Sequence, residues 1–128
     1  FLIGSFGASV VLLYGTPGVP LAQPRNLMGG HILSAFTGVL IYGWIPDPLY
    51  LSGALSVATA IAVMHLTKTT HPSGGATALI AVIGSERGHQ LGFLFVISPV
   101  VLGALIMLVV ALIVNNLTSF RRYPVFWW

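Results

Sequence analysis

Apolar residues fill this chain in long blocks, separated by short stretches rich in glycine, proline or polar side chains. A helix needs about 20 residues to cross a hydrocarbon core roughly 30 Å thick. By that measure the pattern predicts three spans, over 27–44, 49–66 and 91–114. Two further apolar stretches, 7–14 and 74–83, are too short to cross and predict helices of two to three turns. Gly15-Thr16-Pro17-Gly18-Val19-Pro20 ends the first short helix, and its prolines impose extended backbone with few hydrogen bonds. Such backbone survives at membrane depth only where protein or a wet cavity covers it. Pro46-Asp47-Pro48 and Gly84-Ser85-Glu86-Arg87-Gly88 read as turns, Pro99 as a kink, and 115–128 as an interfacial tail. The expectation is an all-α integral membrane protein: a polytopic helical bundle forming a single transmembrane domain over 1–128.

The two short helices resemble each other. Ser5-Phe6-Gly7-Ala8-Ser9 and Ser73-Gly74-Gly75-Ala76-Thr77, 68 residues apart, share Ser, Gly and Ala in register, and Ser9 becomes Thr77. Each continues into an apolar run. This is the signature of a half-helix whose N-terminus lies inside the bilayer, where unpaired N–H groups and a positive dipole attract anions. The chain opens at Phe1 in apolar sequence, so a further helix is expected upstream. The protein would then consist of two units of helix, broken segment and helix, related by inversion, an arrangement that recurs in transporters.

Charge sharpens this reading. Only 5% of residues are charged against 56% hydrophobic, too few to cover a soluble domain of 128 residues. The net charge of +3 does not indicate nucleic acid, because the basic residues are few and dispersed. If the helix at 74–83 completes a crossing, Arg25, Lys68, Arg121 and Arg122 share one face and Arg87 stands opposite with Asp47 and Glu86. Positive-inside bias favours that arrangement, with the four-charge face cytoplasmic. The expected location is a bacterial plasma membrane, crossed several times.

Both carboxylates fall in loops, which argues against ion coupling through buried carboxylates and suits an anion. The polar groups left near the membrane interior form the candidate site. For anion binding these are Ser5, Gly7, Ala8, Ser9, His71, Ser73, Gly74, Gly75, Ala76 and Thr77. Arg25, Asn26, Gly30 and His31 would line the pathway, with Arg25 and Lys68 concentrating anions at one mouth. Ser34 adds a hydroxyl. His31 and His71 could donate to an anion or carry a proton beside it. His65 reads as a packing or interfacial residue and His89 as a solvated loop residue. Cysteine is absent, and the histidines at 31, 65, 71 and 89 include no close pair on one helical face. No metal and no cofactor are therefore expected. Small residues recur every four positions at Gly30, Ser34 and Gly38 and at Ala54, Ala58 and Ala62, spacing that allows close helix contacts within or between subunits, including a homo-oligomer.

Phe6-Gly7-Ala8-Ser9, Gln23-Pro24-Arg25-Asn26 with Gly29-Gly30-His31, and His71-Pro72-Ser73-Gly74-Gly75-Ala76-Thr77-Ala78-Leu79 resemble the signature segments of the HPP integral membrane family, from Phe1 to about Val114. The resemblance implies about four transmembrane helices and, from members linked to nitrite transport into chloroplasts or cyanobacterial cells, nitrite as the leading substrate. The family occurs in bacteria, algae and plants and is sometimes fused to CBS domains. Its namesake His-Pro-Pro is His71-Pro72-Ser73 here. A serine at that point can satisfy an N–H of the following helix or offer its hydroxyl to a ligand. The expected function is membrane transport of a small inorganic anion. The alternative is a membrane sensor or scaffold; an enzyme is not expected, because no nucleophile–base pair is recognisable.

Overall fold

The computed structural model describes residues 3–128, the side chain of Arg87 excepted. Six α-helices and no strand occur among the described residues. Helix α1 covers Gly4–Val10 and continues as a π-helical turn over Val11–Gly15. After a short 3₁₀ turn at Pro20–Ala22 come α2 (Pro24–Trp44), α3 (Leu49–Leu66) and α4 (Pro72–Ile83). Helix α5 is Glu86–Leu91, a π-helical stretch runs Val96–Val101, and α6 is Leu102–Asn116. Among the described residues three segments are long and apolar enough to cross a membrane: Pro24–Trp44, Leu49–Leu66 and Val96–Asn116.

Local chemistry explains the boundaries. Pro24 stands at the first position of α2 and Pro72 at that of α4, where a missing N–H costs nothing. The expected turn at 84–88 instead starts α5, because Ser85 caps it by accepting from the Gly88 N–H. The span at 91–114 is kinked at Pro99, as expected, and is also broken nearer its start. Gly92 takes φ 51°, a conformation that side chains other than glycine rarely adopt, and stops α5. Ser98, pushed out of the helical region by Pro99, then breaks the next segment again. The crossing therefore begins at Val96.

Glycines set how the helices meet. A Cβ at Gly30 would collide with His71 Cβ and the Thr69 carbonyl, and one at Gly38 would lie 2.5 Å from the Ala78 carbonyl oxygen and 2.8 Å from Ala81 Cβ. Helix α4 thus lies in the Gly30–Ser34–Gly38 groove of α2 and runs in the same direction. Beyond its end, His89 stacks on Tyr42 with ring centres 3.9 Å apart. Gly30 stands about 9 Å along α2 from Pro24, at 1.5 Å per residue, so α4 begins inside the membrane and ends near the far side. The stripe of Ala54, Ala58 and Ala62 faces outward, whereas Ser52, Ser56, Ala60 and Met64 form the inner face of α3.

Helix α1 lies antiparallel to α4: Ser9 meets His71, Ser5 meets Thr77, and Gly4 approaches Ile80. Phe6 rests on Gly103 of α6, where any side chain would clash with its ring. The tail, expected at the interface, folds back against the bundle. Tyr123 is buried and donates its hydroxyl to the Ala22 carbonyl at 2.8 Å; burial holds that hydroxyl above its ordinary pKa and keeps it protonated. Gln23 covers the extended backbone before α2, donating from Nε2 to the carbonyls of Pro17 and Val19 and accepting at Oε1 from the Val125 N–H. Arg25 donates to the Thr67 carbonyl and Arg121 to that of Tyr14. The start of α2, the end of α3 and the tail therefore gather Arg25, Lys68, Arg121 and Arg122 at one end, with Asp47 and Glu86 at the other.

Candidate functional site

On α1 and α4 the polar residues recur four apart, so each pair shares one helix face. Ser5 and Ser9 of α1 are buried, as are Ser73 and Thr77 of α4, and these faces meet. The residues between them turn away: Gly7, Ala8 and Ala76 are exposed and Gly75 is half-buried, its missing Cβ facing Val57 of α3. Of the ten residues expected to bind an anion, the fold therefore brings Ser5, Ser9, His71, Ser73, Gly74 and Thr77 inward. The two half-helix starts do not face each other. The start of α1 lies beside Ile80, and that of α4 lies beside Ser9 at the other end of the antiparallel pair.

His31 comes into this seam from α2 and His71 from the residue preceding α4, both fully buried. Their rings are 5.0 Å apart, and Ser9 joins them: its Oγ is 2.7 Å from His31 Nε2 and 2.9 Å from His71 Nε2. His31 Nδ1 is 2.7 Å from Thr77 Oγ1, which lies 2.8 Å from Ser5 Oγ. At the other end His71 Nδ1 donates to the Leu21 carbonyl at 2.8 Å. Phe6 closes one side with its edge against the His31 ring, centres 5.1 Å apart. The spacing of the histidines gave no sign of this pairing, which exists because Gly30 lets the chain at His71 lie directly on α2.

Next to this seam is the first turn of α4. A Cβ at Gly74 would stand 2.6 Å from Met64 Sδ and 2.7 Å from Ser34 Oγ, so α4 is tightly docked between α2 and α3 here. Ser73 Oγ is buried and has no hydrogen-bond partner among the described residues, as is also true of Ser56 Oγ on α3. Among the described residues Ser34 Oγ makes only a long contact of 3.5 Å to Met64 Sδ. The expected pathway residues Arg25 and Asn26 hold the α3–α4 connection in place, Asn26 through Nδ2 to the Thr70 carbonyl at 2.7 Å. Arg25 also lines a cavity of about 320 Å³ with Gly29, Thr69, Trp127 and Trp128, at the basic end. A second cavity, about 200 Å³, lies at the other end between Ile3, Ile80, Tyr42 and His89. His89, expected in a solvated loop, sits on α5, stacked on Tyr42 and 2.8 Å from the Val82 carbonyl. Among the described residues no three His, Cys, Asp or Glu side chains gather around a point that could hold a metal ion.

Residues with structural weight that the sequence did not single out are Tyr123 and Asn115. The latter is buried and donates to the Leu13 carbonyl at 2.9 Å, tying α6 to the turn after α1. Asparagine near a helix end carries no signal separating this from a solvated residue.

Comparison with known proteins agrees with the motifs. Residues 1–124 match the family described as HPP, transmembrane region. The chain belongs to the HPP family. Two transmembrane proteins of Dictyostelium discoideum are similar to it. One is 51% identical over 131 residues, covering 100% of this chain and 42% of its own length. The other is 48% identical over 130 residues, covering 99% of this chain and 45% of its own length. The chain thus spans less than half the length of these curated relatives. No solved structure matches it. As an HPP protein with three spanning segments, it is an integral, multi-pass membrane protein whose lipid-facing side chains meet the bilayer. Both relatives come from an amoeba, and the expected bacterial membrane draws no support from them.

Proposed function

We propose that this HPP protein transports a small inorganic anion, nitrite first among the candidates, and that the first turn of α4 is its binding point within the membrane. The observation that carries the reading is Ser73: a buried hydroxyl without a partner, at a helix N-terminus set inside the bilayer. A buried hydroxyl left unpaired costs free energy, and an anion with acceptor oxygens would satisfy it together with the Ser73 N–H, since Pro72 has no N–H and that of Gly74 donates to the His71 carbonyl. The Arg25 cavity at the basic end would gather anions on the way in.

The fold suggests a layout for the whole protein. We read α1 and α4 as the broken elements of an inverted repeat, since each turns a pair of hydroxyls inward, Ser5 and Ser9 on one and Ser73 and Thr77 on the other, and they run antiparallel. On this reading the protein is a transporter and not an enzyme.

The test is flux of nitrite, nitrate, formate and chloride into liposomes holding the purified protein, with Ser73→Ala beside it. A hydrogen bond to a charged group contributes about 1.5–3 kcal/mol, so Ser73→Ala should weaken nitrite affinity about tenfold or more while the protein still purifies as a single species. Saturable nitrite flux unaffected by Ser73→Ala would remove the site from α4. No flux of any of the four from folded protein would favour the sensor or scaffold reading.

A further inference from the structure

Hydrogen-bond polarity in the buried seam can be worked out from its fixed end. The Leu21 carbonyl can only accept, so His71 Nδ1 carries a proton. In neutral His71 the Nε2 is then an acceptor, and Ser9 must donate to it. Having one proton, Ser9 must accept from His31, which therefore carries its proton on Nε2. His31 Nδ1 is left as an acceptor, so Thr77 donates to it. From Thr77 through His31 and Ser9 to His71 every donor points the same way; Thr77 Oγ1 also stands as a donor toward Ser5 Oγ at 2.8 Å, so with its proton on His31 the Ser5 hydroxyl must turn to donate to Thr77. Competing contacts are longer: Ser9 to the Ser5 carbonyl at 3.4 Å and Thr77 to that of Ser73 at 3.2 Å.

We propose that this chain is a proton relay across the membrane interior. A hydronium at the Ser5 end gives a proton to Ser5 Oγ, and Ser5 releases its own to Thr77. Thr77 passes its proton to His31 Nδ1, His31 gives up its Nε2 proton to Ser9, and Ser9 gives its own to His71 Nε2. Each hydroxyl breaks one O–H bond and forms another, His31 exchanges tautomers, and the positive charge arrives as imidazolium on His71. Every hydrogen bond has then reversed, with Thr77 donating to Ser5. Discharge passes the Nδ1 proton of His71 to water at the basic end, after which the hydroxyls turn back and both imidazoles return to their starting tautomers, His71 with its proton on Nδ1 facing the Leu21 carbonyl and His31 with its proton on Nε2.

The surroundings suit this role. The cavity at the acidic end is lined by Ile3 and Ile80, which lie close in sequence to Ser5 and Thr77. The cavity at the basic end is lined by Gly29 and Thr69, beside the Gly30–His71 contact. The chain thus occupies the stretch between two cavities that open toward opposite ends. The titratable group facing His71 is His31; α1 and α4 present Ser9, Ser73 and Thr77, and the 20–22 turn presents a carbonyl. Asp47 and Glu86 lie at the far end, and Arg25 is held at the basic end by the Thr67 carbonyl. Nothing in the relay depends on which anion, if any, uses α4.

The experiment is proton flux into pyranine-loaded liposomes under a valinomycin–potassium potential, once with impermeant gluconate and once with equal nitrite on both sides. Wild type should acidify the lumen faster than protein-free vesicles in at least one arm. Ser9→Ala, which deletes the link between the histidines, should fall to the protein-free rate; Ser9→Thr, which keeps the hydroxyl, should retain flux. Equal flux in wild type and Ser9→Ala, or none in wild type in either arm, overturns the relay. Proton flux without saturable nitrite uptake would keep the relay and remove the anion site; nitrite uptake without proton flux would do the reverse. Imidazole ¹⁵N spectra give a readout that does not depend on transport. Neutral protein should carry protons on His71 Nδ1 and His31 Nε2, and protonation of His71 should move the His31 proton to Nδ1. A His31 tautomer that does not respond to His71 counts against the relay.

Discussion

Gly74 and Gly75 are neighbours in sequence with opposite surroundings, and that difference can be measured. A methyl group at Gly74 would meet Met64 Sδ at 2.6 Å and Ser34 Oγ at 2.7 Å, so Gly74→Ala forces the side chains of Met64 and Ser34 to shift within a packed seam. Overpacking of this kind costs about 1–3 kcal/mol, and a lower Tm in detergent should report it. At Gly75 the new methyl would stand 3.6 Å from Val57 Cγ1, an ordinary contact. Gly75→Ala should hold or raise Tm, since replacing glycine in a compatible helix gains about 0.4–1 kcal/mol through the unfolded chain. The reverse order would mean that α4 is rotated from the phase described. Sequence marked both glycines as site residues because a repeat gives spacing without rotational phase. Ser5, Ser9 and Thr77 were legible because a four-residue spacing places them on one face whichever way it points. The His31–His71 pair was not legible, since residues forty positions apart meet only through the docking of α4 on α2.

Among elements, the contact of α4 with α2 decides where the polar seam lies. Gly38 faces backbone, the Ala78 carbonyl oxygen, which cannot swing aside as a side-chain tip can. Gly38→Val should therefore separate the two helices, lower Tm by more than Gly74→Ala does, and disturb the His31–Thr77 bond one to two turns away. A Tm equal to wild type would mean that the groove is looser than these distances require. The stripe at Gly30, Ser34 and Gly38 was readable from spacing, but its partner was not, because small-residue spacing marks a close approach without naming what approaches. The outward stripe at Ala54, Ala58 and Ala62 shows the same ambiguity resolved the other way. In the last span the kink at Pro99 was legible but the break at Gly92 was not, since hydropathy is blind to the positive φ that Gly92 adopts.

For the whole molecule, the direction of α4 fixes which charges share a side of the membrane. With α4 parallel to α2, the chain reaches the Tyr42 end by Ile83, and Glu86 joins Asp47 there. Had α4 turned back, Glu86 would stand with Lys68, and the tail would leave on the opposite side. Four of the five basic residues lie at the end where α2 begins, so positive-inside bias predicts that this end faces the cytoplasm. The natural absence of cysteine makes this directly testable. Asp47→Cys and Arg122→Cys place single thiols at exposed positions on opposite ends. In intact cells a membrane-impermeant maleimide should label Asp47→Cys and spare Arg122→Cys until the membrane is opened. Labelling of both from outside would break the parallel α2–α4 arrangement on which the relay depends, because the tail and the 46–48 turn would then share a face. Labelling of Arg122→Cys alone would keep the fold and invert its orientation, so that the basic cavity opens outward and anions meet Arg25 from outside the cell.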